Sequence, residues 1–407
     1  MNLGHRLGHL TYSTLVHPGD TWDQMWTSLQ TFVPKVKAQL SPDQPFGVCL
    51  RLSARSAQTL VSDAAALASL RHFLADHDMY LYTANAFPYG SFKGTIVKEQ
   101  VYEPDWRSNE RTVYTKQVAD VLAAVAAEGV APSIQSPPLG FKPRVTGPDV
   151  IASFTDHVLE VTAHLVDIER RTGKTVTLAL EPEPYCFLET TDEVVAYFRD
   201  HLYSGAAAVQ LGRLTGLPVS ESHAALRRHV GIVFDICHQA IEYEDITTSL
   251  QRLVDAGIPI LKLQEAAAIH VPEVTQQAVD ALTKYAQTIY LTQTIERYQG
   301  RLTRYLNLEE AFTAWKNNPV AGKEWRVHIH VPVFLDDLGP FRTTRFAIED
   351  ALAFHRATPL SSHLEIETYT WDVLPDSLKT GDIVEYVCRE LQWVKGQLLP
   401  APQLAAL

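Results

Sequence analysis

Strand-like and helix-like runs alternate along almost the whole of this chain, which points to a parallel sheet with helices outside. GHLTYSTLVH (8 to 17) precedes a helical pattern through WDQMWTSLQTFVPKVKAQL, GVCLRLS (47 to 53) precedes AQTLVSDAAALASLRHFLADH, and MYLYTANAF (79 to 87) precedes a long loop and YTKQVADVLAAVAAE. PSIQSPPLG (132 to 140), VTLALEPEP (176 to 184), GIVFDICHQA (231 to 240) and IPILKLQEAA (258 to 267) follow, each ahead of its own helical stretch, the last being TQQAVDALTKYA. The apolar period switches each time from two to about three and a half. Two strand candidates remain, WRVHIHVPVF (325 to 334) and HLEIETYTW (363 to 371). HLEIETYTW is assigned to strand eight and HIHVPVF to a long insertion after strand seven. No βα turn carries the G-x-G-x-x-G of a dinucleotide fold, so the expectation is a closed (β/α)8 TIM barrel rather than a doubly wound sheet.

At 407 residues with no linker-like tract, the chain reads as one domain: a barrel over 1–395, insertions at about 88–112 and 268–362, and a flexible tail over 396–407. Acidic residues outnumber basic ones 47 to 35, giving a net charge of -12. No Lys/Arg-rich run supplies the footprint that phosphate-backbone binding requires, which argues against nucleic acid as a partner. The first residues lack the charged start and long apolar core of a secretion signal. The longest mostly apolar window, at 121–131, is broken by Glu128 and Gly129 and is too short for a bilayer span. Cys49, Cys186, Cys237 and Cys388 are far apart with no CxxC pair. They read as buried thiols, and the expected compartment is the cytoplasm.

Three strand ends carry metal-type ligands: LALEPEP (178 to 184), VFDICHQA (233 to 240) and IETYTW (366 to 371). Carboxylates and imidazoles arriving from several barrel strands are how one mouth builds a divalent-metal site. Asp235 and His238 are three apart at a strand end, a spacing that converges on one ion; a helix cap plus a surface histidine is the alternative. Pro182 and Pro184 stop their strand, so one of Glu181 and Glu183 is expected to face inward. In HLEIETYTW, period two puts Glu365, Glu367, Tyr369 and Trp371 on one face, where the carboxylates demand a metal or an Arg. His328 and His330 share a face and could grip one ion, as an accessory contribution from the insertion, or form a structural pair. Gln264 offers an amide oxygen at another strand end. His17 closes the first strand-like run. The long aromatic stretch 83–106, with Phe87, Tyr89, Phe92, Tyr102 and Trp106, reads either as a substrate wall or as a minicore under the loop, and Lys93, Lys98 and Arg107 offer it positive charge.

LALEPEP, FDICH and IETYTW, with the barrel they imply, resemble the xylose isomerase-like TIM-barrel superfamily of sugar isomerases, ketose 3-epimerases and endonuclease IV. The resemblance implies a divalent ion (Mn, Mg or Zn) with Glu181, Asp235, His238, Gln264 and Glu367 as ligands; the insertion is expected to add His330 as an accessory ligand. Gln264 stands where the superfamily has a His. More closely, YSTLVHPGDTW (12 to 22), NAFPYGSFKG (85 to 94), VYEPDW (101 to 106), EWRVHIHVPVF (324 to 334) and HLEIETYTWDVLP (363 to 375) resemble the EboE-type metabolite traffic proteins. The chain departs from that family at Lys93, where it has a His, and at YLTQ (290 to 293), where it has YLHQ. This second resemblance implies a bacterial operon that makes or moves a specialised metabolite, with co-operonic proteins as partners.

Three functions follow as expectations. The first is a metal-dependent isomerase or epimerase of a small metabolite, with Glu181 and Glu367 moving the proton and His17, Phe87, Tyr89, Trp106, Tyr369 and Trp371 binding substrate. The second is a non-catalytic metabolite carrier or scaffold. The third is a metal-dependent phosphoesterase, which needs a His-rich cluster of several ions.

Overall fold

The computed structural model describes residues 1–4, 6–286, 289–375, 378–379 and 381–399. Its strands are β1 (His9–Tyr12), β2 (Phe46–Arg51), β3 (Met79–Asn85), β4 (Ser133–Ser136), β5 (Thr177–Leu180), β6 (Val230–Asp235), β7 (Ile260–Glu265), β8 (Ala267–Val271), β9 (Thr294–Tyr298), β10 (Arg301–Tyr305), β11 (Glu324–Val331), β12 (Arg342–Thr343) and β13 (His363–Ile366). Eight of them form one parallel sheet in the order β1-β13-β7-β6-β5-β4-β3-β2. A parallel bridge between Ser13 and Cys49 then joins its two edges and closes the ring. The fold is a single TIM barrel with HLEIETYTW as strand eight, as the sequence predicts. Gly8 makes the entry to β1 possible: its φ is +79°, and a Cβ there would lie 2.5 Å from the Ser362 carbonyl oxygen.

The other five strands form a second, antiparallel sheet in the order β10-β9-β11-β8-β12, inserted after strand seven. Here one expectation fails. TQQAVDALTKYA does form a helix, Gln276–Ala286, but it packs on the helix Leu308–Asn317 inside the insertion. The barrel helix that follows β7 is Arg345–Ala357, seated between the helices Ile246–Asp255 and Ile383–Leu398. The reason is local. A single residue separates Glu265 from the start of β8, so the chain passes straight into the second sheet. Helical period shows that a segment has an apolar face, not which layer that face covers. Most of the tail expected over 396–407 lies outside the described residues, although the last helix runs to Leu398.

The interior of the barrel is polar. Thr83 and Ser133 share a hydrogen bond of 2.8 Å between hydroxyls, Ser133 also meets His363 at 2.9 Å, and Lys262 meets Glu365 at 2.5 Å. No helix among the described residues is long and apolar enough to cross a membrane.

Glu390, on the last helix, ties the insertion to the barrel by accepting from the Val333 N–H at 3.2 Å and the Thr368 hydroxyl at 2.8 Å. Burial pushes its carboxyl up to about 8 from 4.5. The folded state therefore holds a proton that the unfolded chain releases above 4.5, so this contribution to stability is complete at low pH and is lost as pH rises through about 8. Glu390→Gln should remove that loss. Urea midpoints of parent and variant should diverge with rising pH, in the variant's favour, by on the order of a few kcal/mol near neutrality. A difference that does not change with pH would contradict the assignment.

Candidate metal centre

The functional side chains sit where the parallel strands end. β6 stops at Asp235, which N-caps the six-residue helix Ile236–Ile241: its Oδ1 accepts from the backbone N–H of Cys237 (2.7 Å) and of His238 (3.2 Å). Capping leaves Oδ2 free to act as a ligand: it is buried with no hydrogen-bond partner among the described residues and stands 3.5 Å from His238 Nε2. β5 ends at Leu180, after which residues 181–184 turn over the mouth. Glu181 and Glu183 both end up buried there, where one was expected; residues two apart share a face. Glu367 follows β13 on the same rim.

Neighbouring side chains hold each carboxylate by one oxygen. Gln135 Nε2 donates to Glu181 Oε2 at 2.6 Å, and Asn85 Nδ2 donates to Glu367 Oε1 at 2.9 Å. Glu183 Oε1 accepts from the Tyr102 hydroxyl at 2.7 Å and from Gln293 Nε2 at 3.1 Å. Three imidazoles face these acids, each anchored through Nδ1. His238 Nδ1 lies 2.8 Å from the Pro182 carbonyl oxygen, His328 Nδ1 2.9 Å from Gln293 Oε1, and His330 Nδ1 2.6 Å from the Glu367 carbonyl oxygen. These oxygens only accept, so Nδ1 carries the proton and Nε2 presents a lone pair, which is how a metal-binding histidine is oriented from behind.

Ligand atoms of Glu181, Asp235 and Glu367 lie within 4.8 Å of one another. The same holds for Asp235, His238 and His330, for Glu183, His238 and His328, and for Cys237, His328 and His330. Burial, then repulsion from a neighbouring carboxylate (Glu367 for Glu181, Glu365 for Glu367), holds the carboxyls of Glu181 and Glu367 well above the usual carboxylate range, and burial pushes Asp235 up to about 7. Burial likewise lowers His238 and His328, and takes His330 down to about 3. Such a set is costly without a positive charge among its members. A divalent cation fits it on three counts: the oxygen and nitrogen donors, the anchored imidazoles and the orphaned Asp235 Oδ2.

The other expected residues divide. Gln264 pairs in register with Asp235 and is fully buried, with neither amide atom hydrogen-bonded among the described residues. Phe87 and Tyr369 line the cavity above the acids. Tyr89, Trp106, Trp371 and His17 do not. Tyr89 stands edge-on to Tyr114, and Trp106 is wholly buried in the main core. His17 stacks on Phe32 at 4.2 Å and bonds the Tyr12 hydroxyl. Trp371 packs on Tyr386 at 4.6 Å, because period two ends with β13 and residues Tyr369–Val373 form a 3-10 helix. Glu365 finds Lys262 rather than an Arg or a metal.

The cavity has a volume of about 60 Å³, room for a few water-sized groups in this conformation. Its apolar wall comes from the segments after β1, β3 and β13 and from the insertion. Phe92, Tyr290 and Tyr369 pack against one another with centroids 4.8 to 5.2 Å apart. Lys98 also lines it and donates to Asn307. Asn85, Gln135, Cys237, Gln293 and Tyr290 were not expected at the site. Only their places at strand ends or in the YLTQ string could have marked them.

No protein-family model and no curated protein matches this chain. Among solved structures it is similar to a xylose isomerase domain protein from Planctomyces limnophilus, at 12% identity, 99% of this chain and 98% of that one covered, and a TM-score of 0.48. It is also similar to an IOLI protein crystallised with a zinc atom (13%, 96% and 97%, 0.46) and to a xylose isomerase domain containing protein from Salmonella typhimurium (11%, 98% and 99%, 0.39). The barrel assignment rests on the strand order above.

Proposed function

We propose that this chain is a divalent-metal-dependent isomerase or epimerase of a small hydroxy-carbonyl metabolite, working in a specialised-metabolite pathway of the EboE type. One observation carries the reading: Glu181 and Glu367, from non-adjacent strands, line a small cavity, and their ligand atoms lie within 4.8 Å of each other and of Asp235. Glu181, Asp235 and Glu367 would hold a Mn, Mg or Zn ion, with His238 beside them and Gln264 as a further donor. When bound, that ion would polarise a carbonyl and stabilise negative charge on its oxygen. Glu181 and Glu367 each keep one oxygen outside the hydrogen bonds described above. One, ionised, takes a proton from the hydroxyl-bearing carbon next to the carbonyl, and the other, protonated, delivers its own proton to the opposite face of that carbon, or to the former carbonyl carbon while a hydroxyl proton passes between the two enediol oxygens. Phe87 and Tyr369 exclude water from the carbanionic stage.

The test is deuterium exchange. Protein loaded with Mn2+, incubated in heavy water with a panel of short ketoses and 2-hydroxy ketones, should catalyse deuterium incorporation at the carbon beside the carbonyl. Chelation should abolish the exchange, and Glu181→Gln should slow it by about 10²-fold or more. The three imidazoles favour a second reading, hydrolysis of a phosphoester by several ions. Release of phosphate from a small monoester without deuterium exchange would select it. A tightly held organic molecule, with neither activity, would select the carrier.

A further inference from the structure

We propose that His328, His330 and Cys237 form a second cation site, separate from the carboxylate site and selective for a borderline-soft ion such as zinc. The proposal stands on the tautomers of two imidazoles and holds whichever reaction the barrel performs.

His330 Nδ1 faces a backbone carbonyl oxygen, that of Glu367, at 2.6 Å, and so must carry the ring proton. His328 Nδ1 faces Gln293 Oε1 at 2.9 Å. The amide of Gln293 is held in this orientation by its Nε2, which faces the Tyr102 hydroxyl oxygen and Glu183 Oε1, each at 3.1 Å, and the Pro184 carbonyl oxygen at 3.5 Å. His328 therefore carries its proton on Nδ1 as well. The two Nε2 atoms, each with a bare lone pair, stand 3.2 Å apart. That arrangement is repulsive unless a positive charge lies between them. Two imidazoles on one tetrahedral zinc, at about 2.05 Å each, would hold their nitrogens about 3.4 Å apart. The observed gap is close to that value.

Cys237 supplies the third donor. Its Sγ lies within 4.8 Å of ligand nitrogens on both histidines, it is a buried free thiol, and the first turn of the helix that Asp235 caps fixes its position. A sulfur donor beside two imidazoles selects zinc over Mg2+ or Mn2+, whereas the set of Glu181, Asp235 and Glu367 suits the harder ions. The barrel provides the hard site. The insertion strand β11, which carries both histidines, completes the softer one.

Cobalt titration of chelator-stripped full-length protein reads both sites separately. About two equivalents should bind, with a near-ultraviolet thiolate-to-cobalt band alongside the visible bands. Cys237→Ser should lose the near-ultraviolet band. His328→Ala should lower the capacity to about one equivalent. Saturation at one equivalent without the thiolate band, in the unaltered protein, would overturn the proposal without requiring any variant to fold. One equivalent with the band would keep this site and remove the carboxylate site instead. Persistence of the band in Cys237→Ser would also overturn it.

Discussion

Glu367→Gln is expected to weaken retention of the barrel-mouth cation by roughly 10-fold or more while the protein still unfolds in a single transition. The substitution keeps the volume and leaves an oxygen to accept from Asn85 Nδ2, now 2.9 Å from Oε1, but removes the charge. The backbone carbonyl of Glu367 still anchors His330 Nδ1, so the imidazoles stay where they are. The change therefore acts on the carboxylate set of Glu181, Asp235 and Glu367 alone. Removing one of three crowded, buried acids also relieves repulsion, so the variant should be at least as stable as the parent when no metal is bound. Metal content after gel filtration, together with melting curves with and without chelator, checks both halves. Unchanged metal retention would show that Glu367 is no ligand. A large loss of stability without metal would make it a structural carboxylate.

The barrel was legible because its signal is global: the alternation of periods, and the absence of a dinucleotide turn, constrain every unit at once. Asp235 and His238 were legible for a local reason, since a strand that switches to a helix within four residues leaves few places for those side chains to go. Legibility failed where the answer depends on which layer an apolar ring meets. Trp106 and Trp371 are as aromatic as Phe87 and Tyr369, yet one fills the main core and the other covers Tyr386, while the latter two reach the cavity. His17 ends in a stack on Phe32 for the same reason. Cys237 carried no signal, because a lone cysteine in an apolar run looks like any buried thiol. Its meeting with His328 and His330 is made by the insertion folding back over the barrel. Lys262 sat unremarked in a strand whose ligand signal came from Gln264, two residues on.

Lys262→Met is expected to cost about 3–5 kcal/mol of stability, the most of any single change considered. Lys262 and Glu365 are both 0% exposed and meet at 2.5 Å inside the barrel. Taking away the ammonium leaves a carboxylate with no water and no counter-charge, and that penalty exceeds the loss of the attraction itself. The damage should spread upward. Lys262 Nζ also donates to Gln135 Oε1 at 2.8 Å, and Gln135 in turn holds Glu181 at 2.6 Å, so the variant loosens a proposed ligand from below. Removing both charges tests the argument against simple loss of packing. Lys262→Met combined with Glu365→Leu should recover most of the stability, because an apolar pair of similar volume is often neutral where half an ion pair is not. It should not recover the grip on Glu181, since nothing then donates to Gln135 Oε1. Urea midpoints of the single and double variants, with metal retention measured beside them, separate the two effects. A single variant as stable as the parent, or a double variant no better than the single, would mean that the charge of Glu365 is compensated by something other than Lys262.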